Sequence, residues 1–135
     1  MKKTILGLIL CASTILAGQD MKKMQILQPT SSSCPQEWLD DMKKLTNDVD
    51  IISMITVANV KNDVGIPREI RSCNTTFFND MVIEGNVPVK AIEDFMAKKP
   101  DNAIGLSLPA YENDKEVKTV FVIFEDKTYK EFGKY

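Results

Sequence analysis

At 135 residues with an apolar share of 44%, the chain has the size of one domain and enough apolar side chains to build a core. Its formal net charge is −2, and no basic face or arginine cluster marks a nucleic-acid partner. It contains no histidine, which excludes a Ser-His-Asp triad, a Cys-His dyad and a histidine-based zinc site, and argues against hydrolytic catalysis.

Met1 to Gly18 reads as a secretory signal peptide. Lys2 and Lys3 form a short basic start, and Ile5 to Ala17 an apolar stretch too short for a convincing membrane span. Gln19 stands where a lipoprotein signal needs cysteine, so no lipid is expected and cleavage falls near Gly18. The mature chain, 19–135, is then a single domain in the periplasm with no further membrane attachment. Cys11 leaves with the leader, and Cys34 and Cys73 remain in an oxidising compartment.

Met24 to Gln28 is a short strand candidate, and Pro29 to Ser33 a loop. Ser33 or Cys34 suits a helix N-cap, with Pro35 at the first helical position and Glu37 complementing the dipole. A thiol in that place is expected to favour its thiolate, because unpaired backbone N–H groups face it. Trp38, Met42 and Leu45 recur on one helical face and read as core.

Val49 to Met54 reads as a second, largely buried strand. Val57, Val60 and Val64 recur at helical spacing, and Gly65 suits that helix's C-terminus. Ile66-Pro67 forces an extended turn, and Arg68 to Asn74 approaches the next strand irregularly. Thr75 to Phe78 and Met81 to Glu84 form a hairpin around Asn79-Asp80. Glu84, at its end, reads as solvated or hydrogen-bonded. Pro88 opens a helix with Val89, Ile92, Phe95 and Met96 on its apolar face. Ala103 to Pro109 is a short apolar loop or strand, Val117 to Phe124 a strong strand, and Thr128 to Tyr135 a last short one. Met21 and Met24 are too loosely spaced for a methionine copper site, and Met24 reads as strand packing.

The order β-α-β-α-β-β-α-β predicts an α/β (α+β) protein, a thioredoxin-like sandwich with a central mixed sheet and flanking helices. A thioredoxin-type Cys-x-x-Cys pair is missing, since Glu37 holds its second position. General disulfide oxidoreductase activity is therefore not expected, and the chain reads as a binding protein rather than an enzyme.

Several stretches resemble the CopG-like, thioredoxin-fold family of periplasmic copper-resistance proteins. They are Val64-Gly65-Ile66-Pro67, Arg71-Ser72-Cys73-Asn74-Thr75, Val82-Ile83-Glu84-Gly85-Asn86-Val87-Pro88, the run from Ala91-Ile92 to Pro100-Asp101, and Gly105-Leu106-Ser107-Leu108-Pro109. The resemblance runs from about Met24 to Phe124. It implies a soft-metal site, with copper as Cu(I) the metal and other periplasmic copper-handling proteins as partners. The family's Cys-x-Cys-Cys motif before the helix tryptophan falls on Ser32, Cys34 and Pro35. Its later cysteine is Cys73, and its two histidines fall on Asn74 and Asn86. The implied site is thus reduced to Cys34 and Cys73, enough for one near-linear Cu(I).

The alternative is a metal-free domain in which the same two thiols form a structural or redox disulfide. Such a bond would close a long loop and stabilise by roughly 3–4 kcal/mol if unstrained.

Overall fold

The computed structural model describes residues 22–135. The expected signal peptide, Met1 to Gly18, lies outside them, as do Cys11 and Met21. Among the described residues no helix is long and apolar enough to cross a membrane.

Seven strands form one mixed sheet: β1 (Lys23–Pro29), β2 (Asp48–Met54), β3 (Thr75–Phe78), β4 (Met81–Glu84), β5 (Ala103–Ser107), β6 (Thr119–Phe124) and β7 (Tyr129–Lys134). Their order is β2-β1-β3-β4-β5-β6-β7. β1 runs parallel to β2 and antiparallel to β3, which turns back into β4. With three helices, α1 (Gln36–Met42), α2 (Ala58–Val64) and α3 (Val89–Ala97), this is the predicted thioredoxin-like sandwich. Strands β5 to β7 extend its sheet. β5 pairs in parallel with β4, and the rest of the extension is antiparallel.

Local chemistry explains the elements that position the site. The β3–β4 turn places Asn79 and Asp80 at φ 51° and 62°, the left-handed pair a two-residue hairpin requires and that Asn and Asp tolerate. Helix α2 ends on Gly65 at φ 90°, as its sequence suggests. The apolar run from Ala103 becomes a strand because Gly105 lets it lie against β4. A Cβ there would come within 1.9 Å of the Val82 carbonyl oxygen.

Alternation along the strands divides the core into two layers. On one face Trp38 and Met42 of α1 and Ala91, Ile92 and Phe95 of α3 pack on Met24, Ile26, Ile83, Leu106 and Val122. On the other, Ile66 and Ile70 pack on Val82 and Ile123. Met24 is fully buried, the packing role expected of it.

Two local expectations are corrected and a third is narrowed. Pro35, not Ser33 or Cys34, is the N-cap of α1, and no side chain caps it. Strand β2 is not buried: it is an edge of the sheet, and Asp50 to Ser53 are all exposed. Its isoleucines and valine suit a pleated strand, but only β1 lies beside it. Glu84, left as solvated or hydrogen-bonded, is the latter: it is wholly buried and accepts hydrogen bonds.

Candidate functional site

Cys34 lies between β1 and α1. Its N–H donates to Oε1 of Gln28, 3.2 Å away, and the connecting loop is held by the Thr30 N–H on the Met54 carbonyl at 2.8 Å. The thiol is buried against the core. Burial pushes its pKa from 9.0 up to about 11, and the neighbouring Cys73 adds to the shift. This overturns the expectation of a thiolate favoured by the helix N-terminus. Helix α1 has only seven residues, and Cys34 stands before its N-cap. Desolvation of the charged form decides the outcome there.

Cys73 is exposed, in the loop between a single 3-10 turn, Arg68–Ile70, and β3. A buried ion pair fixes that loop. The Lys61 ammonium on α2 contacts Oε2 of Glu84 on β4 at 2.5 Å and donates to the Cys73 carbonyl at 3.1 Å and to Thr75 Oγ1 at 2.8 Å. Glu84 also accepts the Ser72 N–H at 2.8 Å and the Thr75 hydroxyl at 2.7 Å. The chain is tied down on either side of Cys73 as well. Arg71 secures the approach by donating to the Ile66 carbonyl at 2.9 Å, and the Gly85 N–H donates to the Asn74 carbonyl at 2.9 Å.

The opposite wall comes from the Gly85-Asn86-Val87-Pro88 loop. Gly85, at φ 79°, is required by close approach: a Cβ would stand 2.4 Å from the Leu108 carbonyl oxygen and 2.7 Å from the Ser72 Cβ. The Trp38 indole N–H donates to the Val87 carbonyl at 2.9 Å, which ties the helix after Cys34 to this loop.

These three loops enclose a cavity of about 180 Å³ lined by Gln28, Ser33, Cys34, Ser72, Cys73, Asn74 and Asn86, among others, none of them charged. The two predicted site residues thus share one small cavity, and both thiols are free. Asn74 and Asn86 bring two buried polar atoms without a partner, Nδ2 and Oδ1 respectively. Unsatisfied buried groups are uncommon, and each has a cost. Among the described residues no group of three or more His, Cys, Asp or Glu side chains is placed to hold a metal ion. What the cavity offers is two soft sulfur ligands in neutral, polar surroundings, with an amide donor and an amide acceptor in its wall. A larger groove of about 680 Å³, lined by Lys22, Phe77, Asn79 and Met81, contains neither cysteine.

Nothing in the sequence singles out Lys61, and of the two environments open to Glu84, solvated or hydrogen-bonded, the structure shows the second. The only available signal was a lone acid at the end of the otherwise apolar run Met81 to Glu84.

Comparison with known proteins bears on the fold and on the segment around Cys73. Residues 70–112 match the family described as a protein of unknown function, DUF411. That segment holds Cys73, Asn74, Glu84 and Asn86. No curated protein matches the chain. Two solved structures titled copper resistance protein copG share its fold. Form 2 aligns with a TM-score of 0.69 at 16% identity, covering 86% of this chain and 99% of its own. Form 1 aligns with a TM-score of 0.65 at 16% identity, covering 86% and 98%. The chain thus resembles the CopG structures in fold over most of its length, and its segment around Cys73 matches DUF411.

Proposed function

We propose that the chain is a periplasmic metal-binding protein that handles copper, holding one Cu(I) between the sulfurs of Cys34 and Cys73. The observation that carries this reading is the shared cavity: two free thiols, far apart in sequence, line one small neutral space in a fold shared with proteins titled copper resistance proteins. Soft thiolates select soft Cu(I), and two suffice for linear coordination. The exposed Cys73 is the point of entry, accessible to a partner's thiol or thioether. The buried Cys34 is the inner ligand and must release its proton when metal binds, so uptake weakens as pH falls. Asn74 Nδ2, which lacks an acceptor in the free protein, is available to a metal-bound thiolate. The role is binding and transfer of the ion rather than catalysis.

Native intact mass spectrometry of the protein purified from periplasm, before and after adding Cu(I) under reductant, tests the proposal. One copper per chain that disappears in both Cys34→Ser and Cys73→Ser is the expected result. A mass lacking two hydrogens, with no copper taken up after reduction, would overturn it and leave a structural disulfide.

A further inference from the structure

Two sulfurs do not use everything in the wall of the cavity. Asn74 is only 3% exposed, and its Nδ2 has no acceptor. Asn86 Oδ1 is buried without a donor. The Gly85 N–H on the Asn74 carbonyl, at 2.9 Å, holds Asn74 against the residue before Asn86, and both asparagines line the cavity with Cys34 and Cys73. A donor and an acceptor left buried and unpaired cost free energy, which a ligand carrying the complementary pair recovers. The C=O and N–H of a single extended residue are such a pair, the one that strands exchange in an antiparallel ladder.

Charge and size narrow the ligand further. No charged side chain lines the cavity. The Lys61 ammonium, which reaches the Cys73 carbonyl, is already paired with Glu84. Two thiolates and one Cu(I) sum to one net negative charge. A third thiolate would add a second, with no cation in the wall to offset it. A thioether adds none and is also a soft ligand that suits Cu(I). At about 180 Å³ the cavity is smaller than the roughly 300–1,000 Å³ of pockets that enclose drug-sized ligands, so it admits one side chain with its own peptide group rather than a folded element.

We propose that the cavity binds a methionine residue in an extended, exposed segment of the protein that exchanges copper with this chain. The methionine sulfur becomes a third ligand to Cu(I), its C=O accepts from Asn74 Nδ2, and its N–H donates to Asn86 Oδ1. Forming the Cu–S bond changes no oxidation state and moves no proton. The Asn74 amide has two hydrogens, so one serves the carbonyl and the other remains for a metal-bound thiolate. This partner chemistry rests on the two-sulfur Cu(I) site proposed above.

The probe is N-acetyl-L-methioninamide, titrated into the copper-loaded protein. Native mass spectrometry should show one chain, one copper and one probe, and the Asn74 side-chain amide signals in a nitrogen-15 NMR spectrum should shift saturably. N-acetyl-L-norleucinamide, of similar shape without sulfur, should not bind. Dimethyl sulfide, a thioether without a peptide group, should bind about tenfold or more weakly. Asn86→Leu in its copper-loaded form should lose a similar factor towards the probe. Equal binding of the probe and dimethyl sulfide, or of the probe and the norleucine analogue, would overturn the proposal. A loaded chain that ignores the probe would overturn it alone, whereas a chain that takes up no Cu(I) would overturn the two-sulfur site and this partner together.

Discussion

Lys61 and Glu84 form an ion pair at 2.5 Å with the Glu84 side chain wholly buried, and between them they hold the backbone on both sides of Cys73. Breaking a buried pair by removing one partner leaves an uncompensated charge. Lys61→Met should therefore destabilise the protein by about 3–5 kcal/mol. Urea unfolding measures this. The double variant Lys61→Met/Glu84→Gln should lose less than the sum of the two single losses, because the pair is one coupled unit. Additive losses would show that the two residues act separately.

The buried thiol gives a pH dependence with a definite sign. Cys34 titrates near 9.0 when unfolded and is pushed up to about 11 in the fold, chiefly by burial. Between these values the unfolded chain has given up a proton that the folded chain retains. The contribution of Cys34 to stability is therefore constant below about pH 9 and is lost as pH rises towards 11. Unfolding midpoints across that range, compared with those of Cys34→Ala, isolate the effect. The variant should show the shallower alkaline decline. At neutral pH iodoacetamide should label the exposed Cys73 first, and peptide mass mapping reads the order.

Gly85 brings three loops together at a point where a side chain has no room. Gly85→Ala combines an unfavourable φ with contacts on Leu108 and Ser72, and should cost about 1–3 kcal/mol or more, seen as a lowered thermal midpoint. The change should also weaken copper uptake, because Ser72 adjoins Cys73. An unaltered midpoint would mean that the loops yield at little cost.

Asn74 and Asn86 stand where the resembling family carries histidine. Replacing both, Asn74→His and Asn86→His, adds two imidazoles to a cavity that already holds two sulfurs. Cu(I) affinity should rise on the order of tenfold or more, equivalent to about 1.4 kcal/mol. Competition against a chromogenic Cu(I) chelator measures it. No gain would show that these positions do not reach the bound ion.

Much of the fold was legible because it is written locally. The hairpin over 75–84 follows from two strand-forming runs around Asn79-Asp80, and α3 follows from its proline start and apolar face. The pairing of Cys34 with Cys73 in one cavity was expected, and both cysteines line the cavity about which the three loops close. What the sequence could not convey was set by neighbours far along the chain. Val49 to Met54 has the composition of an interior strand, yet whether such a strand is interior depends on what pairs with its second side. Nothing ties Lys61 to Glu84 until the fold places them in contact. The state of the Cys34 thiol turned on a competition between a weak dipole at a short helix and removal from water, and burial prevailed.

The hydrogen bond from Trp38 to the Val87 carbonyl has an optical consequence. Trp38 is the chain's only tryptophan, one helical turn beyond Cys34, and Val87 adjoins Asn86 in the cavity wall. The protein's entire indole emission therefore originates one helical turn from Cys34, in the same core cluster. Any event that moves the loop over 86–88 or places a quenching ion near Cys34 registers in that single fluorophore. The unmodified chain is in this sense its own indicator, and a titration can be followed with no label attached.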